Sequence, residues 1–364
     1  MLYNSMIKVW ECGMFEHVSF YKTLESFEKS VKSGTYLLMI AQETLFLELP
    51  KKEGLVYAGA IFPKIIFKQK TYASGLIAAR LAKTSTLHVM DIHKECNPLS
   101  CIHNSHSIFT IVDGYSAAIY DFLENLYTLI PETCKLIGAG SGKNTLIQEL
   151  TIFDQTRFHL ESAIVISSKK SIGLGVKHGW KPLHGPLIAS QCHDTTIEKM
   201  NYKDAFEVYK NAIETESTLR FDTTPFFKIS QRYPIGLVRY NQDFLVREPV
   251  STDGKSIKVV GKLEQNSIVC ILTCKENELI QAAHEAAILS CENRENETVH
   301  SVMVVDCISR FLVLDKKYSQ ELKAIAKAYE PQTLLWGVLS VGEIANANQE
   351  GIEFYNNTCV IGTL

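Results

Sequence analysis

The sequence predicts a mixed α/β fold made of two related sheet-plus-helix domains, and three observations carry that prediction. Short β-rich runs alternate with amphipathic helical patterns along the chain. A chain of 364 residues divides into about two domains at roughly 150 residues each. An order of strand, aspartate, helix, glycine loop and strand occurs twice.

The strands come first in the argument because their residue types are the clearer signal. Tyr36–Ala41, Leu55–Ile61, Ser107–Val112, Ala163–Ser167, Ile257–Val260, Ile268–Leu272, Val302–Val305 and Val360–Leu364 are short runs rich in β-branched, aromatic and other apolar residues. Ala117–Leu129, Asp204–Glu216, Asn277–Cys291 and Ser319–Tyr329 carry apolar residues at spacings of three and four and read as helices. The segment Ser107 to Asp113, followed by a helix, resembles Ser301 to Asp306, also followed by a helix, so that Asp113 aligns with Asp306. Glycine-rich stretches follow both helices, at Gly138 to Gly142 and at Gly337 to Gly342, and each leads into a last strand. The implied domains are residues 1–200 and 201–364, related by internal duplication.

Composition excludes several classes. Hydrophobic residues make up 46% and charged residues 21%, an ordinary globular balance. A net charge of −3 provides no general attraction to phosphate backbones or anionic lipid, so neither nucleic acid nor membrane is an expected partner. Lys8, Glu11, Glu16 and His17 interrupt the first residues, which leaves no signal-peptide core. The longest apolar runs fall far below the roughly 18 residues of a membrane span. Ten cysteines run from Cys12 to Cys359 without framework spacing and read as reduced thiols, most of them buried, of a cytoplasmic protein.

Four features invite a chemical reading. Gly138–Thr145 fails as a phosphate loop, because Ile137 and Asn144 stand where glycine and a metal-binding hydroxyl are needed. Lys143 takes the place of the third glycine of a dinucleotide fingerprint, so a tight glycine turn is the expectation. The segment His88 to His106 holds His88, Asp91, His93, Glu95, Cys96, Cys101, His103 and His106, side chains that suit zinc, but their spacing matches no structural-zinc pattern and a solvated polar loop is the expectation. His178 lies beside Gly179 and Trp180, where a planar ligand could approach an imidazole, or where a rigid turn could hold it to backbone. No nucleophile elbow or paired-carboxylate spacing marks a catalytic centre.

These residues resemble the FIST family of sensory domains, in both its N-terminal and C-terminal modules, over roughly 32–364. The resemblance lies in Gly59 to Pro63, Val112-Asp113-Gly114, the Gly138–Gly142 loop and Gly175 to Pro182. It continues through Ala205 to Tyr209, Tyr233 to Gly236, Val246 to Pro249, Asp306 to Arg310, Gly342 to Ile344 and Tyr355 to Thr358. It implies a non-enzymatic module that binds a small molecule, such as an amino acid, and passes its state to a kinase, cyclase, chemoreceptor or ubiquitin-ligase partner. With both modules filling the sequence, the expectation is a free-standing sensor acting through a separate partner. Some free-standing members, the NosP type, are similar to haem proteins that sense nitric oxide and control a histidine kinase; on that branch haem b would be the cofactor and His178 its axial ligand. Two departures stand out: Tyr355 replaces a family histidine, and Ile137 stands where members often have glycine. For ligand binding, Arg247 or Arg310 suits a carboxylate, Glu343 an amine, and Asn356 and Thr358 hydrogen bonds. Alternatively, Arg310 and Glu343 pair with each other and fix the interface between the repeats. An enzyme using the glycine loop is a further alternative.

Overall fold

Every residue of the strand Ser107–Asp113 is buried, and the alternation of its side chains shows how. Phe109 and Ile111 point into a large central core, while Ile108 and Val112 pack under the helix Ile119–Leu129. One strand therefore serves two cores, which is why apolar residues fall on both of its faces. The computed structural model of the chain describes residues 13–45, 48–94, 102–239, 243–292, 299–347 and 351–364.

The same division occurs twice more. Leu37 and Met39 of the strand Gly34–Ala41 enter the central core, while Tyr36, Leu38 and Ile40 face the helix Leu24–Ser30. Met303 and Val305 of the strand Ser301–Cys307 enter it as well, and Val302 and Val304 pack with Leu279 and Leu322 of the helices Glu276–Glu292 and Tyr318–Ala326. Each of these central strands has a parallel neighbour on one side: Leu55–Phe62, Lys135–Ser141 and Leu334–Ser340. Each has an antiparallel neighbour on the other: Leu76–Leu81, Ser162–Ser168 and Cys359–Thr363. An outer antiparallel strand follows in every case, Phe15–Tyr21, Ser85–Asp91 and Gly173–Lys177.

The duplication expected from sequence is present, and a third copy precedes it. The three copies also exchange parts. The hairpin of the first copy, Lys64–Phe67 and Lys70–Tyr72, joins the sheet of the third beside Leu334–Ser340. The third returns its hairpin, Glu343–Ala345 and Glu353–Tyr355, to the second beside Lys135–Ser141. The second passes Ile152–Asp154 and Phe158–His159 to the first beside Leu55–Phe62. Three six-stranded sheets thus close into a ring about one shared core.

Register corrects two details of the sequence reading. Ser107 pairs with Lys135 and Ser301 with Leu334, so Asp113 corresponds to Cys307 and not to Asp306. The slip of one residue puts the two aspartates on opposite faces of their strands. The glycine loop is also no turn: Gly138 and Gly140 lie within the strand Lys135–Ser141. Gly138 belongs to a threefold set with Gly59 and Gly337. A Cβ at these positions would meet the carbonyl oxygens of Leu38, Thr110 and Val304 at 2.5, 2.5 and 1.9 Å for Gly59, Gly138 and Gly337 respectively. Close approach of parallel strands requires glycine there.

Between Gly173–Lys177 and Glu276–Glu292 the third copy carries an inserted body with its own core, including Ile197, Tyr209, Ile213 and Ile271. One of its sheets holds Lys181–Ala189, Ser267–Thr273, Ile235–Val238 and Phe244–Arg247. The other holds Gln191–His193, Thr196–Met200, Ile257–Val259 and Pro249–Thr252. Met200, the division read from sequence, ends a strand inside this insert. No helix among the described residues is long and apolar enough to cross a membrane.

Candidate functional site

Arg310 is fully buried and its donors are committed. Its Nε lies 3.0 Å from Asp306 Oδ1, and its Nη2 donates to Glu321 Oε2 at 2.9 Å and to the Leu279 carbonyl at 3.0 Å. Nη1 donates to the His178 carbonyl at 2.7 Å, and the Tyr318 hydroxyl donates to the other oxygen of Asp306. Burial pushes the Glu321 carboxyl up against the pull of the guanidinium. Arg310 is thus a structural clasp and not a ligand arm, and its partners are Asp306 and Glu321, not Glu343. Ligand atoms of Asp306, Glu321 and Cys359 lie close enough together to hold a metal ion, but the guanidinium already supplies their positive charge.

Glu343 and Thr358 do come together. Glu343 accepts from Ser340 Oγ at 2.6 Å and from the Thr358 backbone N–H at 3.2 Å, and burial raises its pKa. Thr358 Oγ1 donates to the Asn356 carbonyl. Asn356 Oδ1 and both amide atoms of Asn357 are buried without a hydrogen-bond partner. So is Oε1 of Glu248, whose other oxygen accepts from Ser309 Oγ at 2.5 Å. Burial pushes Glu248 up to about 7. Since Glu248 belongs to the insert and Ser309 to the ring, this hydrogen bond joins the two bodies.

His178 does not fit haem. Its Nδ1 accepts the Trp180 N–H at 3.0 Å, and its Nε2 lies 2.9 Å from Asp243 Oδ1, so both ring nitrogens are engaged. The hydrogen bond from His178 holds the Asp243 carboxyl below its usual range. The adjoining cavity, about 40 Å³, has room for a few waters and none for a porphyrin. Of the histidine- and cysteine-rich segment, residues 95–101 lie outside the described residues. Among the described ones, His88, Asp91, His93, His103 and His106 form no metal-binding group. None of Cys134, Cys192, Cys270, Cys274, Cys307 and Cys359 is in a disulfide.

The larger cavity is a cleft of about 610 Å³ between ring and insert. The ring supplies Tyr115, Ser116, Ile119 and Tyr120 around the start of the helix Ile119–Leu129, together with Phe354 of the exchanged hairpin. The insert supplies Asp194, Thr195, Val250, Ser251 and the segment Lys258 to Lys262. The walls meet at Tyr120, whose hydroxyl accepts the Lys262 N–H at 3.0 Å. Its ring lies 5.5 Å from Lys262 Nζ and 5.9 Å from the Arg247 guanidinium carbon. Gly261, at φ +93°, permits this meeting, since a Cβ there would lie 2.6 Å from the Tyr120 hydroxyl. Arg247 is 2% exposed and sits behind the wall, donating to the carbonyls of Lys262 and Phe354, each at 3.1 Å.

Gln148 also lines the ring wall, where its Nε2 bridges Asp113 Oδ2 at 2.8 Å and Glu161 Oε1 at 2.6 Å, and the Ser116 hydroxyl donates to Glu161. Burial raises the pKa of Asp113. Sequence reasoning missed Tyr120, Glu248, Lys258 and Lys262. The glycine at 261 and the Val246–Pro249 motif were the available signals.

Family models match most of the chain: the FIST N domain over residues 52–203 and the FIST C domain over residues 205–346. No curated protein matches it significantly.

Proposed function

The chain belongs to the FIST family, whose domains are sensory domains of signal transduction, and from that premise we propose that it binds a small molecule in the cleft between ring and insert and reports occupancy to a separate signalling protein. The cleft carries this reading. Its volume falls in the range of about 300–1,000 Å³ in which small-molecule sites lie, and its two walls belong to two bodies. A ligand that touches both walls favours their closed arrangement over any parted one, which is the differential affinity a sensor needs. Ligands of amino-acid size fit this space. The partner, a histidine kinase or another cytoplasmic signalling protein, would read the position of the insert. We read the site as one of binding and not catalysis because the domains of this family are sensory domains of signal transduction.

Thermal unfolding of the purified chain across a panel of amino acids, organic acids and nucleotides tests the reading. At least one compound should raise the midpoint in a concentration-dependent way, and Ser251→Trp, which fills the cleft, should remove that response. A panel in which no compound stabilises the chain, or in which Ser251→Trp leaves the response intact, would overturn it.

A further inference from the structure

The charge of the cleft is unevenly placed. Arg247 is buried directly behind the wall, its hydrogen bonds go to carbonyls, and among the described residues it has no carboxylate in ion-pair range. Lys258 likewise makes no ion pair among the described residues. Lys262 Nζ approaches Asp121 only to 3.6 Å, with the side chains 43% and 76% exposed, a pairing worth little. The one acid on the lining, Asp194, is 70% exposed. The carboxylates of Asp113 and Glu161 lie behind the opposite wall and are taken up by Gln148 and Ser116. A buried guanidinium without a countercharge is costly to maintain, and an incoming anion offsets that cost. Beside the cations the wall is apolar, at Ile119, Val250, Val259 and Phe354.

We propose that the cleft takes an organic anion with an apolar body, its charged group at Lys258 and Lys262 over Tyr120 and its body against Val259 and Phe354. Asp113 and Glu161 repel the charged group from the ring wall and so set its direction. Arg247 acts as a positioning residue, fixing the carbonyls of Lys262 and Phe354 and adding its field. This inference rests on the cleft being the ligand site.

A matched pair of fluorescent probes separates the two ideas. 8-Anilinonaphthalene-1-sulfonate carries an anion on an apolar body, and N-phenyl-1-naphthylamine is nearly the same body without the charge. The sulfonate should bind at least about tenfold more tightly than the neutral probe, with an affinity that falls as salt rises. Lys258→Gln/Lys262→Gln, both surface changes, should remove most of that advantage while leaving the neutral probe and the thermal midpoint unchanged. Ser251→Trp should block both probes. If the neutral probe binds as tightly as the sulfonate and the double variant changes neither, the anion inference fails while the cleft remains a ligand site. If Ser251→Trp blocks neither probe, the cleft is no site and both readings fall.

Discussion

Substituting Gly337 by alanine tests the ring architecture where it is tightest. Gly337 stands opposite Val304 in the parallel pair Ser301–Cys307 and Leu334–Ser340, and an added Cβ would lie 1.9 Å from the Val304 carbonyl oxygen. Cβ atoms essentially never come within 3.0 Å of such an atom, so the strands must part locally by about 1 Å. That displacement takes ladder hydrogen bonds of about 2.9 Å out of range. Both strands are buried along their whole length, so water does not replace the lost bonds. Two ladder bonds left unsatisfied cost about 2–6 kcal/mol, and the positive φ adds about 1–3 kcal/mol. Set against a total stability of about 5–15 kcal/mol, Gly337→Ala should lower the urea midpoint by roughly 1 M or more. Gly254→Ala is the control, since nothing lies within 4 Å of its added Cβ and only the φ of +91° is strained; it should cost about 1–2 kcal/mol. Equal urea midpoints for the two variants would refute the reasoning.

Three further outcomes are expected. Arg310→Met leaves Asp306 and Glu321 buried beside each other without their cation and should destabilise the chain by about 3–5 kcal/mol in denaturant titrations; adding Asp306→Asn and Glu321→Gln should restore part of the loss. Glu248 is protonated in the folded chain up to about pH 7, against about 4.3 when unfolded. Its contribution is therefore full below about pH 4 and lost as pH rises through 7, a fall on the order of 3 kcal/mol; Glu248→Gln should flatten that part of the stability profile, and a wild-type profile parallel to that of the variant would contradict it. Hemin titration should give the same absorption spectrum for the wild type and His178→Ala, because both nitrogens of His178 are engaged; a Soret band lost on substitution would show that they are released to iron.

The strands that feed two cores were legible in the sequence because nearly all of their residues are apolar or small, with a single aspartate near the end of each of Ser301–Cys307 and Ser107–Asp113. The helices Ile119–Leu129 and Ala205–Glu216 were legible through their spacing. The third repeat was hidden: Gly34–Ala41 ends without an aspartate, and no described helix follows it, so it lacks the landmarks that matched the other two. The aspartate match itself misled by one residue, since Asp113 and Asp306 look alike in sequence and face opposite sides of their strands. The glycines at 59, 138 and 337 are the true threefold mark, but single glycines in apolar runs are too common to stand out.

The candidate site divided in the same way. Glu343, Asn356 and Thr358 were singled out as charged and polar residues of the C-terminal module; the fold gathers Glu343 with Thr358, but none of the three lies on the lining of the cleft. Arg310 was given the wrong partner, because Glu321, which it binds, belongs to the next helix and shares no local pattern with it.

By itself, then, the sequence determined the mixed α/β class, the alternation of the central strands and the family, since these depend on residue type and local spacing. Tertiary structure alone decided that three hairpins circulate among three sheets, that an insert overhangs the ring, and that Tyr120, Arg247 and Lys262 meet across more than a hundred residues. Such contacts depend on which faces are left to bury once the strands have formed, and no local pattern of residues records that choice.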